Sequence, residues 1–236
     1  FVGMFAYAYF SKHLKQAPLF KKFYGPDWSE IKIILALGMP IAFSLLFEVS
    51  LFAAVAIILA PFGANIVASH QIAINFSGLV FMVPLSLAMA VTIKVGFEVG
   101  NKNLAKAKEL CSYSVILGLI IAVATAALTL LFSQQIAAIY TTDTEVLELA
   151  AGLMFLAALF QFSDAIQVIS AGALRGYKDT KSILYITFFS YWIVGLSVGL
   201  ILGLTDWIMP ATGPYGFWVG FISGLTVAAV LLAWRL

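Results

Sequence analysis

The sequence predicts an all-α fold, a polytopic membrane protein built as a six-helix transmembrane bundle. Three observations carry this. Apolar runs long enough to cross a bilayer follow one another with short breaks, the runs are apolar on every face, and basic residues gather only in alternate breaks. Of 236 residues, 63% are hydrophobic and 10% charged, and the mean hydropathy is +1.05. A soluble domain carries about 25% charged residues, so a water-soluble fold is excluded. A helix needs about 20 apolar residues to cross the bilayer core. Stretches such as 115–131 lack the alternating polarity of a transmembrane β-strand, and only a helix satisfies its own backbone hydrogen bonds in lipid. The net charge of +2 gives no basis for nucleic-acid binding, and the single cysteine, Cys111, allows no internal disulfide.

Taken in order, residues 1–10 are apolar and aromatic and run into a basic stretch. They read as the end of a preceding transmembrane helix, and the chain as part of a longer one, because a signal peptide would place its basic region first. Residues 11–30 read as a cytoplasmic loop and 31–236 as a six-helix lobe. Helices are expected at 31–60, 64–93, 109–132, 145–173, 182–204 and 214–235. Gly63 with Asn65 marks a tight turn after the first. Thr142 and Glu145 match the T-x-x-E capping box, and Asp143 and Glu148 suit a helix N-terminus. Pro210, Gly213 and Pro214 punctuate the loop before the last helix.

The 13 basic residues test this division. Lys12, Lys15, Lys21, Lys22 and Lys32 precede the first full helix. Lys94, Lys102, Lys106 and Lys108 fall between the second and third. Arg175, Lys178 and Lys181 fall between the fourth and fifth, and Arg235 ends the chain. The breaks near Gly63, Asp143 and Pro210 hold none, so the positive-inside rule puts the basic breaks in the cytoplasm. Gly195, Gly199 and Gly203, then Gly216, Gly220 and Gly224, form two doubled G-x-x-x-G runs. They clear one helix face for close contact, read as packing within the bundle in preference to a dimerisation face. Pro40 and Pro84 interrupt helical hydrogen bonding within their spans. A static kink is the simpler reading and a hinge the functional one.

Two acids stand in mid-span: Glu48, within 43–59, and Asp164, within 154–174. The other acids sit in breaks or near helix ends, and no Lys or Arg occupies the middle of a span. A carboxylate in low dielectric must be protonated, paired or bound to a cation. An unpaired charge at that depth costs at least about 2.5–3.5 kcal/mol. Two such acids without a basic partner indicate a shared cation or proton site, against the alternative of two passively hydrogen-bonded carboxyls. Gln161 and Gln167 lie on the face of Asp164, Ser44 lies one turn before Glu48, and Gln71 and Asn75 lie four apart on the second helix. These oxygens serve as secondary ligands or line a polar cavity, or else make ordinary interhelical hydrogen bonds. His70 reads as a packing or capping residue, having no second His or Cys nearby. No phosphate loop, zinc-type cysteine pair or nucleophile elbow is present, so nothing indicates an enzyme or a cofactor.

Several runs are similar to the second half of multidrug and toxic compound extrusion (MATE) transporters, closest to their NorM branch. They are Ala68-Ser69-His70-Gln71-Ile72-Ala73 with Phe81-Met82-Val83-Pro84; Asp164-Ala165-Ile166-Gln167 running into residues 172–180; Ser190-Tyr191-Trp192 with Gly195; and Gly216-Phe217-Trp218-Val219-Gly220. The resemblance implies one lobe of a twelve-helix transporter, partnered by an N-terminal six-helix lobe of the same polypeptide in a bacterial cytoplasmic membrane. It implies export of lipophilic, often cationic drugs by alternating access in exchange for Na⁺ or H⁺, with no other cofactor. It also implies a cation site whose Glu and Asp match Glu48 and Asp164. Some NorM members carry a Tyr where this chain has Phe160, which removes a hydroxyl ligand and leaves both carboxylates. A lipid-precursor flippase of the same architecture is the alternative; it calls for basic residues in the cavity to hold a pyrophosphate headgroup, and this half offers none. A purely structural membrane subunit would leave the two acids without a role.

Overall fold

A computed structural model describes residues 25–236, so segment 1–10, most of segment 11–30 and Lys12, Lys15, Lys21 and Lys22 lie outside the described residues. Every candidate site residue belongs to the compact unit Leu37–Leu236. Among the described residues there are only helices and connections: α1 (Trp28–Leu59), α2 (Ala64–Gly100), α3 (Leu104–Leu131), α4 (Ser133–Tyr140), α5 (Thr144–Gly176), α6 (Thr180–Phe188), a π-helical segment (Phe189–Gly195), α7 (Leu196–Leu204) and α8 (Pro214–Arg235). α6, the π segment and α7 form one continuous span, Thr180–Leu204. Six spans are long and apolar enough to cross a membrane.

The departures from expectation have local causes. α2 continues past residue 93 to Gly100, because Lys94 and Glu98 are not helix breakers. At about 1.5 Å per residue its 37 residues reach about 55 Å, well beyond the hydrocarbon core. It stops where Lys102 takes a left-handed φ of 59° and Asn103 N–H donates to the Glu98 carbonyl at 2.9 Å, a Schellman-type ending. α5 ends the same way: Lys178 has φ 63° and Asp179 N–H donates to the Leu174 carbonyl at 2.9 Å. Asn103 and Asp179 then cap the next helices. The start of α5 corrects the capping-box reading. Asp143, not Thr142, is the N-cap, its carboxylate accepting from Glu145 and Val146 N–H. The short helix α4 was not expected, since eight residues after a long apolar run give little periodic signal. Lys94, Lys106, Lys108 and Arg175 lie on helical turns instead of in loops.

α5 is the central helix, packed against α2, α3 and α8. Its approach to α2 needs glycine. A Cβ on Gly172 would stand 2.6 Å from the Ala88 carbonyl oxygen, and the Thr92 hydroxyl donates to the Gly172 carbonyl at 2.7 Å. The two glycine runs meet each other: a Cβ on Gly220 would lie 2.6 Å from the Gly195 carbonyl oxygen, and one on Gly216 would lie 2.5 Å from Gly203 N. They therefore serve packing inside the bundle. The ends of the spans are tied together by polar contacts. Lys106 meets Glu98 at 3.5 Å and Arg235 meets Asp179 at 3.0 Å at one end. Asn65 donates to Glu145 at 2.8 Å, and Ser69 donates to the Val146 carbonyl at 3.0 Å, at the other.

Candidate cation site

Glu48 on α1 and Asp164 on α5 are 116 positions apart in the chain yet line one cavity of about 150 Å³. Aromatic side chains make its walls: Phe52 of α1, Phe81 of α2, Phe160 of α5 and Trp218 of α8, with Ser77 the neutral polar side chain among them. Phe160 and Trp218 rings meet edge-on at 6.0 Å and Phe52 and Phe160 at 6.3 Å, the tilted geometry that ring quadrupoles favour. Asp164 is 4% exposed and Glu48 is half-buried. Among the described residues neither carboxylate forms an ion pair; the ion pairs present, of Glu98 and Asp179, lie at the helix ends.

Local structure explains how α1 brings Glu48 there. Trp192 of the π segment donates its indole N–H to the Phe47 carbonyl at 3.1 Å, and the Phe47 and Phe188 rings meet at 4.9 Å. Both contacts fall one residue before Glu48. A π segment adds a residue to a turn and so re-aims the side chains after it, a feature common at functional sites. Tyr191, beside Trp192, is fully buried and its hydroxyl has no partner. Nothing in the period of the sequence marks a π turn; the Ser190-Tyr191-Trp192 run was the available signal.

The secondary candidates divide. Gln161 and Asp164 together line a second, smaller cavity. Gln167 is buried, with its side-chain oxygen unpartnered, and lines neither cavity. Ser44 spends its hydrogen on the Pro40 carbonyl of its own helix at 2.8 Å and is absent from the cavity wall. Gln71 donates to Asn75 at 3.3 Å on the exposed face of α2, away from Glu48 and Asp164. Helical spacing kept Gln161 beside Asp164, whereas Ser44 and Gln167, equally close to an acid along the chain, line neither cavity. His70 packs edge-on against Trp218 at 6.1 Å, as a packing residue should, and among the described residues no cluster of His, Cys, Asp and Glu has the makings of a transition-metal site. Arg175, in the last turn of α5, is half-buried with its Nε unpartnered, lines neither cavity and forms no ion pair with Glu48 or Asp164.

A family model described as MatE matches residues 40–201. The multidrug resistance protein NorM of Photobacterium profundum is 50% identical over 236 residues, covering 100% of this chain and 52% of that protein. The multidrug resistance protein MdtK of Yersinia pseudotuberculosis serotype O:1b (strain IP 31758) is 52% identical over 216 residues, covering 92% of this chain and 47% of the relative. The chain thus spans about half the length of the curated relatives it matches. Among solved structures, the eukaryotic MATE transporter AtDTX14 superposes with a TM-score of 0.87 at 18% identity, over 99% of this chain and 51% of its own. An outward-facing multidrug resistance MATE transporter superposes with a TM-score of 0.82 at 21% identity, over 98% and 51%. These similarities carry the fold.

Proposed function

From the premise that the chain belongs to the MatE family, we propose that it is the second six-helix lobe of a multidrug antiporter, in which Na⁺ or H⁺ taken up by Glu48 and Asp164 drives drug export. The observation that carries this is the single cavity lined by both mid-span carboxylates, neither of them ion-paired among the described residues. Neutral hydrogen-bonding groups would tie helices together as well and avoid the cost of burying charge. A carboxylate in low dielectric is worth that cost where it exchanges a cation or proton. The cavity, about 150 Å³ and walled by aromatic rings, is large enough for an ion with a few waters.

In this reading the drug path lies between this lobe and a first, and the two ligands communicate through conformation. Cation bound to Glu48 and Asp164 neutralises them and favours the arrangement that releases drug outward; drug entering from the cytoplasm favours the arrangement that lets the cation go. Such coupling needs only that the two ligands prefer different states. No basic side chain lines the cavity, the opposite of what a flippase needs for a pyrophosphate headgroup. Six apolar helices and the bacterial relatives make this an integral protein of the bacterial cytoplasmic membrane.

The test is counter-transport by the two-lobed protein in vesicles with Na⁺ and pH gradients imposed separately. Glu48→Gln and Asp164→Asn keep side-chain shape and lose the ionisable group, so each should cut gradient-driven efflux about tenfold or more, the loss of roughly one charge-assisted contact, with membrane insertion unchanged. Normal gradient-dependent efflux in both variants would end the reading.

A further inference from the structure

Asp164 faces two spaces. On the side away from Glu48 it lines a second cavity of about 10 Å³ between α2, α3 and α5, and Phe81 and Asp164 belong to the walls of both cavities. The polar groups around the small one are short of protons to give. The Thr129 hydroxyl donates to the Thr125 carbonyl at 2.7 Å, so toward Gln161 it can only accept. Gln161 accordingly presents its amide nitrogen to Thr129 at 2.9 Å. That leaves the Gln161 Oε1, on a side chain 5% exposed, buried without a partner. Thr125 commits its hydrogen to the carbonyls of Ile121 at 3.0 Å and Ala122 at 3.2 Å, leaving lone pairs. Pro84 has no N–H, so the Val80 carbonyl lacks its usual helical donor. Val80, Thr125, Gln161 and Asp164 all line the cavity.

We propose that this cavity is a binding pocket for one dehydrated Na⁺, separate from the space between the two acids, with Asp164 as the ligand common to both. A carboxylate oxygen, an amide oxygen, a hydroxyl oxygen and a helix carbonyl released by proline are hard oxygen donors, the kind of set that interrupted membrane helices offer to Na⁺. A water molecule fits a space of this size, but it brings two hydrogens and leaves the carboxylate charge uncompensated. The volume also excludes a hydrated ion or an organic cation. The proposal rests on the reading of Asp164 as a cation carboxylate and adds that the ion passes from the larger cavity to a dry site beyond it.

The experiment measures equilibrium binding of radioactive Na⁺ to the purified two-lobed protein at fixed pH, with thermal melting as a check on folding. Thr125→Val and Gln161→Met each remove one neutral oxygen at nearly constant volume and should weaken Na⁺ binding about tenfold. Thr125→Ser keeps the oxygen and should bind like the unaltered protein. Normal binding in both Thr125→Val and Gln161→Met, or a Thr125→Ser variant as weak as Thr125→Val, overturns the pocket; the second result would assign the loss to packing. So does an unaltered protein that binds no Na⁺ while a pH gradient drives efflux, which leaves the space to water. Asp164→Asn separates the two claims. If it loses Na⁺ while the Thr125 and Gln161 variants do not, the pocket alone fails; if it binds Na⁺ normally, the cation reading of Asp164 fails and the pocket with it.

Discussion

α1 and α8 both wall the carboxylate cavity, and they are held in opposite ways. α8 contributes Trp218 and closes on α7 and the π segment backbone to backbone, with Gly220 against Gly195 and Gly216 against Gly203. α1 contributes Glu48 and Phe52 yet, among the described residues, makes no extended close backbone approach to another helix. It is held off by rings and one long donor: Phe47 against Phe188 at 4.9 Å, Phe52 against Phe221 at 4.9 Å, and the Trp192 indole on the Phe47 carbonyl at 3.1 Å. Glycine contact fixes a spacing, because any displacement opens a gap or a clash. Ring contacts at 5–6 Å tolerate sliding. Glu48 therefore sits on the more adjustable edge of the lobe, while Asp164 sits on α5, whose own approach to α2 is fixed by Gly172 against the Ala88 carbonyl.

The largest effect expected from breaking this contrast is on the glycine side. Gly220→Val would drive a branched side chain into the Gly195 carbonyl, where even a Cβ comes within 2.6 Å. Overpacking costs about 1–3 kcal/mol where side chains can yield; here the obstacle is backbone, so the cost should reach at least the top of that range. The measured result should be a sharp fall in melting temperature and in yield of monodisperse protein. An unchanged melting curve would mean that the seam opens freely.

On the α1 side, Trp192→Phe keeps the ring and deletes the donor to Phe47. It should cost about 1 kcal/mol, leave the fold intact, and raise hydrogen exchange along α1 around Glu48 more than anywhere on α8. Gly38→Ala, also on α1, meets nothing within 4 Å, and alanine is the better helix former by about 1 kcal/mol. It should be neutral or mildly stabilising, the reverse of the same change at Gly220.

The smallest expected effect is in acid, at the far end of α8. Burial pushes the Asp179 carboxyl up, but hydrogen bonds from Ser182 and from Arg235, the latter at 3.0 Å, outweigh it and hold the group below the usual Asp range. A carboxyl with a lowered folded value stabilises above its unfolded value, about 3.9, and that contribution fades as pH falls through the lower folded value. The Arg235 tether should loosen only below about pH 4, and Asp179→Asn should remove that dependence. Because Arg235 is exposed and Asp179 only half-buried, the change is small and weakens further in salt. A chemical-shift titration of the α8 terminus would read it.

What the sequence alone determined is what a bilayer imposes on a chain one segment at a time. Span number and helical class follow from hydropathy and backbone satisfaction in lipid, and the expected sidedness of the ends and depth of Glu48 and Asp164 from charge placement along the chain, none of which depends on which helix neighbours which. The helix ends were legible to within a turn except at the connection between α2 and α3, where α2 ran on past Lys94 to Gly100 and α3 began at Leu104 instead of 109, because polar residues beyond the membrane do not stop a helix; the cap at Asp143 was read one residue early. Tertiary structure alone decided which faces meet. Ser44, Gln71 and Asn75 share helical spacing with the acids or with each other, but the rotation of each helix is set by glycine, aromatic and threonine contacts with helices distant in sequence. Those same contacts bring Glu48 and Asp164 to one cavity, turn Gln161 away from Glu48 and toward Thr129, and insert a π turn beside Phe47, because each outcome depends on partners more than thirty residues away and no local period encodes them.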